Sequence, residues 1–249
     1  MNLNAEKIRN ADGDDYPPTN NSVTSDTASV FFRNLPESLV QQIQQSAAVV
    51  GCAAWLTHPD VLRALAHLEC GASIIVQKED FLRPDINSSD GVWQSQLRQM
   101  YDAIDEVRWH SSNYADGIVD TNNLLHELSV CGVQDGRAIR CCGNHNADKT
   151  PAHPRMHNKF FVFFDKTEEM RVALEGGSEE MCTIYTPRAV WTGSFNPTTN
   201  GGMSLENAVL IRDRAICDAY VNEWAQILAI SEPLDWTSAW VAPQYRCGT

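Results

Sequence analysis

No stretch of the 249 residues is apolar enough to span a bilayer, which takes roughly 18–20 uninterrupted apolar residues. The opening segment, MNLNAEKIRNADGDDYPPTNNSVTSD, lacks an apolar signal-peptide core and carries acids where a transit peptide would carry arginines. A soluble cytoplasmic protein without membrane contact is therefore expected. Basic residues are scarce, 19 Lys and Arg against 32 Asp and Glu, for a net charge of −13. That balance excludes a protein that coats nucleic acid with a uniformly basic surface. The eight cysteines form no short-spaced framework, and only Cys141 and Cys142 are adjacent. Disulfides are not expected, and a zinc knuckle would need its cysteines two to four residues apart. Neither a metal nor a cofactor is implied. No internal repeat is visible.

What is present is an ordinary globular composition, 43% apolar and 20% charged, enough for one sizeable core. Residues 1–28 are polar and without periodicity, and read as a flexible tail. Residues 29–249 read as a single domain. PESLVQQIQQSA has helical apolar spacing with Pro36 in the first turn. AVVGCAAWL is a strand-like run closed by Thr57, an expected N-cap for the helix PDVLRALAHLE, and Gly71 ends that helix before the strand ASIIVQ. Strand, helix and strand at this spacing point to a parallel or mixed sheet. KFFVFF is apolar on both faces, as a central strand covered by helices should be. RAIRCCG, RAVWTGSFN and ENAVLI read as further strands, and RAICDAYVNEWAQILAIS as a long amphipathic helix. The expected fold class is α/β, an α/β/α sandwich on a mixed sheet.

Chemistry concentrates in MHNKFFVFFD and TGSFNPTTNGGMSLENAVLI. Residues two apart share a strand face, so His157 and Lys159 project together, as do Ser194 and Asn196, while Glu206 stands at the start of the next strand. An imidazole, an ammonium, a hydroxyl, an amide and a carboxylate form a set suited to phosphodiester cleavage. They supply a nucleophile or acid, donors for phosphoryl oxygens, and an acid to orient the imidazole. The charge is also uneven. Arg137, Arg140, Lys149, Arg155 and Lys159 face Asp148 alone between 137 and 159, whereas 165–180 is strongly acidic. Arg140, Lys149 and Arg155 are candidates for guiding a phosphate backbone, and Trp191, three residues before Ser194, for stacking on a base.

The H-x-K of His157-Asn158-Lys159, the G-S-x-N of Gly193-Ser194-Phe195-Asn196 and the following Glu206-Asn207 resemble the phospholipase D-like superfamily. The likeness spans most of residues 30–230, loosely outside the motifs. It implies a metal-independent phosphodiesterase in which His157 forms a phosphohistidine. Lys159 and Asn196, with Ser194 assisting, would bind the non-bridging oxygens, and Glu206 would hold the imidazole. Two H-x-K motifs are needed, and none of His58, His67, His110, His126, His145 and His153 has lysine two residues later. A homodimer with the site shared across a two-fold axis resolves this. Single-motif members are typically nucleases, so an endonuclease acting on DNA or RNA is the expectation.

Two features depart from the family pattern. Asp165 stands one position later than the family's aspartate. Gly193 stands 36 positions after His157, a longer connection than usual, by an acidic insertion at about 166–187. Two alternatives remain open, a phospholipid headgroup hydrolase and a catalytically idle nucleic-acid-binding or scaffold subunit with a heterologous partner in a larger complex.

Overall fold

β-Branched and aromatic runs alternate with amphipathic ones after residue 28, and the chain folds accordingly. The computed structural model describes residues 2–83, 91–107, 109–110, 117–119, 136–146, 153–173 and 179–243. Strands β1 (Ile8–Arg9) and β2 (Asp15–Tyr16) form a small hairpin, clasped by an Arg9–Asp15 ion pair of 2.8 Å. β3 (Val23–Thr24) pairs with β4 (Ala28–Phe31). There follow α1 (Leu35–Gln44), β5 (Ala48–Ala53), α2 (Pro59–Leu65), β6 (Ala72–Gln77), α3 (Val92–Asp102), β7 (Trp109–His110), β8 (Gly117–Val119) and β9 (Ile139–Cys142). The site-bearing half comprises β10 (Lys159–Ala173), β11 (Glu179–Gly193), α4 (Thr199–Met203), β12 (Ala208–Ile211) and α5 (Arg214–Ala229).

The sheet runs β3-β4-β12-β11-β10-β5-β6-β9, with β8 beside the outer part of β11 and β7 beside β8. β5, β6 and β9 are parallel, and β10 turns antiparallel against β5. The expected mixed sheet is thus present. Alternate residues of its central strands feed two separate cores, as period-two side-chain direction requires. Val49, Ala53, Phe161 and Phe163 pack with Leu39, Ile43, Val61 and Leu62 beneath α1 and α2. Val50, Cys52, Phe160, Val162 and Phe164 pack against Trp224, Ala225 and Leu228 of α5. Helices therefore cover both faces, the expected α/β/α sandwich. Among the described residues, no helix is long and apolar enough to cross a membrane.

Local signals hold with instructive exceptions. Pro36 lies in the first turn of α1, but α2 ends at Leu65 with Ala66 as its C-cap, so Gly71, at φ +80°, does not end the helix and instead lets the chain pass close to Asp105 O before β6. The cap of α2 is His58 rather than Thr57: its Nδ1 accepts from Asp60 N at 3.3 Å. Thr57 N–H is instead donated to Pro197 O at 2.8 Å, so tertiary pairing takes the residue that local propensity favoured. Residues 2–28, read as a flexible tail, carry the short strands β1 to β3, and Asn4 Nδ2 donates to Gly202 O and Ser204 O, both at 3.0 Å. Exposed Ile8, Tyr16 and Val23 show how little of this segment is buried.

The acidic insertion belongs mostly to the outer half of the β10–β11 hairpin. Pairing continues from Glu169↔Thr183 to Ala173↔Glu179, and residues 174–178 lie outside the described residues. A register shift between Phe163 and Phe164 places the extra residue, Arg188, on β11. The register of β10 against β5 stays regular through this region. No bulge in β10 therefore shifts Asp165, which accepts from Arg188 Nε at 2.9 Å, while Arg188 also reaches Gln42 and Ser46. Asp165 is a structural ion-pair partner beside α1.

Five cysteines among the described residues, Cys52, Cys70, Cys141, Cys142 and Cys217, are free thiols. Burial raises the thiol pKa of Cys52, and that of Cys142 to about 11. These groups pack as small apolar side chains, which is what the absence of a disulfide framework implied.

Candidate active site

The carboxyl ends of several strands bring the H-x-K and G-S-x-N segments together. The register sets Lys159 opposite Ala53, Phe160 opposite Thr192, and Gly193 opposite Ala208. Ala53 also pairs with Val76, and Gln77 with Cys142. The carboxyl ends of β5, β6, β9 and β11 thus meet the amino ends of β10 and β12. Crevices at the carboxyl ends of strands are the usual ligand sites of open α/β sheets.

His157 lies just before β10, exposed, on a segment held from below by Gln77. Gln77 Oε1 accepts from Met156 N at 2.7 Å, and its Nε2 donates to Asn144 O at 2.8 Å. Gly143, at φ +92°, makes room for this bridge, because a Cβ there would lie 2.4 Å from Gln77 Oε1. Lys159 Nζ lies 3.1 Å from His157 Nδ1 and 3.4 Å from Nε2, and donates to His157 O at 2.9 Å. The imidazole pKa is held below its ordinary value, first by desolvation and then by the positive charges of Lys159 and Arg155. The Lys159 ammonium is likewise lowered by desolvation, opposed by the Glu206 carboxylate. A largely neutral imidazole thus stands beside a cation.

The Gly193–Asn196 turn docks against the neighbouring strand ends. Gly193 is required by close approach, since a Cβ would lie 2.3 Å from Asn207 O. Ser194 N donates to Asn207 O at 3.1 Å, and Ser194 Oγ donates to Glu206 Oε2 while accepting from Asn207 N at 3.1 Å. Asn196 is buried, and its Oδ1 accepts from Trp55 N at 3.4 Å. His157, Lys159, Ser194, Asn196 and Glu206 are thus gathered at one sheet edge. Among the described residues, the hydrogen-bonding contact of the His157 ring is Lys159 Nζ. The orienting bond from Glu206 to the imidazole, implied by the family resemblance, is replaced by Glu206–Ser194, with Lys159 lying between the two acid–base groups.

No family model matches the chain. An uncharacterized protein of Acanthamoeba polyphaga mimivirus, L381, is 27% identical over 241 residues, covering 95% of this chain and 75% of that protein. In fold, the chain is similar to a phospholipase D family member. That structure, Nuc from Salmonella typhimurium, aligns with a TM-score of 0.40 and 14% identity, over 82% of this chain and 97% of Nuc. NucT from Helicobacter pylori aligns with a TM-score of 0.44 and 13% identity, over 83% of this chain and 98% of NucT.

Two of the expected substrate contacts are corrected. Arg140 is 1% exposed and donates from Nε to Ser231 Oγ at 2.8 Å, so it anchors the segment after α5. Trp191 is also 1% exposed and stacks on Phe31 with centroids 5.0 Å apart. Both sit on strands whose faces are covered by helices, and a covered face cannot touch substrate. Trp191→Ala is expected to cost about 3–5 kcal/mol of stability, read by urea denaturation, whereas Trp191→Phe should leave turnover intact. A selective loss of substrate affinity in Trp191→Phe at unchanged stability would restore the stacking role. Arg155 does stand at the site, 3.7 Å from Glu79. Lys149 lies outside the described residues.

Sequence reasoning missed Gln77, Trp55 and Glu79. Trp55 faces His157 edge to face, with centroids 6.1 Å apart, and its Nε1 donates to Glu79 Oε1 at 3.2 Å. The available signal was positional: Trp55 and Glu79 each follow, by two residues, the end of a strand in the predicted parallel unit. A 460 Å³ pocket also opens beside the site, lined by Arg155, His157 and Asn158 together with Ile227, Ile230 and Val241.

Proposed function

We propose that this protein is a phosphodiesterase that cleaves nucleic acid through a phosphohistidine on His157, with two copies facing each other across a two-fold axis. The observation that carries this reading is the meeting of His157, Lys159, Ser194, Asn196 and Glu206 at one sheet edge. A ring nitrogen of His157 attacks phosphorus as the bond to the leaving oxygen breaks. The protonated His157 of the second copy gives its proton to that oxygen, then takes one from the water that opens the phosphohistidine. Lys159 and the Asn196 amide hold the non-bridging oxygens. The Ser194–Glu206 pair keeps a carboxylate within charge range of Lys159 and holds the turn in place. Each copy supplies one imidazole, so the reaction needs both.

Nucleic acid is the substrate class we favour because Arg155 adds a second cation beside Lys159, as a phosphate backbone requires. Each step uses side chains alone. The test is incubation with labelled single-stranded DNA, duplex DNA, RNA and diacyl phospholipid in excess chelator. Cleavage of a nucleic acid supports the reading, and activity restored only by a divalent cation overturns its mechanism. Because the His157 pKa is lowered, its free base predominates from lower pH than for an ordinary histidine. The rate–pH profile should be a bell whose acid limb lies below the usual histidine range. The alkaline limb reports loss of the proton-bearing imidazole in the other copy. A rate still rising through that range would contradict a two-imidazole scheme.

A further inference from the structure

Among the described residues Glu206 is hydrogen-bonded to Ser194 rather than to the imidazole, and an indole occupies the space beside the ring. We infer that Trp55, held in place by Glu79, is a positioning residue that sets the orientation of the His157 imidazole and ties it to the phosphate-binding amide of Asn196. This rests on the proposed reading of the site and deepens it. Three contacts meet at Trp55. Its backbone N–H occupies Asn196 Oδ1 at 3.4 Å, which leaves the Nδ2 donor for a phosphoryl oxygen. Its Nε1–H is fixed by Glu79 Oε1 at 3.2 Å, and Glu79 is itself 3.7 Å from Arg155. Its ring meets His157 at 86° and 6.1 Å, an edge-to-face pair inside the usual aromatic range.

The topology explains why these groups can cooperate. Trp55 and Glu79 emerge from the carboxyl ends of adjacent parallel strands β5 and β6, and Asn196 and His157 from the ends of β11 and β10. Elements as rigid as these hold a reacting ring far better than a loop does. Among the described residues the charged groups around the imidazole include Lys159 from β10, Arg155 from the preceding segment, Glu79 behind the indole, Glu206 beyond Lys159, and Glu223 of α5, which lines the same pocket. With Lys159 Nζ near both ring nitrogens, the ammonium alone does not choose between ring orientations. The edge-to-face contact with the indole does so. An apolar neighbour on that side of the ring is consistent with desolvation being the foremost cause of the lowered His157 pKa.

The test uses the full chain labelled with ¹³C-histidine, comparing wild type with Trp55→Phe, Trp55→Ala and Glu79→Gln. The His157 titration followed by NMR should move upward in Trp55→Ala and less in Trp55→Phe, whereas Glu79→Gln, which keeps an acceptor for the indole N–H but removes the negative charge beside Arg155, should move it downward, with the other six histidines as fold controls. On nucleic acid, kcat should fall roughly ten- to a hundredfold in Trp55→Ala with KM nearly unchanged, and the acid limb of the pH profile should move with the NMR titration. An unmoved His157 titration, or a loss confined to KM, overturns the inference. If Trp55→Ala fails to fold, Trp55→Phe carries the same comparison, and Glu79→Gln separates the charge of Glu79 from the contact of the ring. Wild-type protein that cuts no phosphodiester would end the functional proposal, while the NMR arm would still decide what Trp55 does to the ring.

Discussion

His157→Ala is expected to abolish turnover, by on the order of 10⁴-fold or more, with the fold intact. The side chain is exposed and contributes no core contact, so stability has little to lose. The expected loss is larger than for an ordinary nucleophile because one substitution removes two functions. In a two-fold assembly it deletes the attacking nitrogen of one copy and the proton donor of the other. Co-refolding equal amounts of wild type and variant separates this from two independent sites. Random pairing leaves about one quarter of dimers with both imidazoles. Specific activity should fall to that fraction if the site is shared. A fall to half, or an active protein that stays monomeric by light scattering, would rule the shared site out.

The second large effect concerns stability. Lys78→Met is expected to lower the unfolding free energy by about 3–5 kcal/mol, because it leaves a buried carboxylate without its partner. Lys78 Nζ is fully buried and 2.6 Å from Glu232 Oε2, and the glutamate is 5% exposed. The ammonium also donates to Ser238 O and Trp240 O, both at 3.0 Å, while Glu232 Oε2 accepts from Ala242 N at 3.0 Å. This one pair therefore pins the segment after α5 against the end of β6. The double variant Lys78→Met, Glu232→Met should recover most of the loss, since neither charge is then buried alone. Urea midpoints at neutral pH decide it. A single variant as stable as wild type would show that the segment is held by its backbone bonds.

The strands and helices that carry the fold were legible from pattern. KFFVFF could be placed as a doubly covered strand because both residue parities are apolar, and Phe160 and Phe161 do enter different cores. The H-x-K and G-S-x-N segments could be matched because they join strand ends. Other expectations failed where burial of polar groups decided the outcome. Arg140 has the charge of a phosphate contact, yet its strand lies at the sheet edge under residues 231–233, and its guanidinium is used up by Ser231. Trp191 is close in sequence to Ser194 but points into the core beside Phe31.

By itself, then, the sequence determined which segments become strands and which five side chains could do phosphodiester chemistry, because periodicity and motif spacing are local properties. Tertiary structure alone decided their partners. Only the antiparallel return of β10 beside β5, and the parallel β6 beyond it, bring Trp55 and Glu79 to His157. Only the approach of β12 to Gly193 directs Glu206 to Ser194. Contacts between residues carried on different strands depend on strand order and register, which no local pattern encodes.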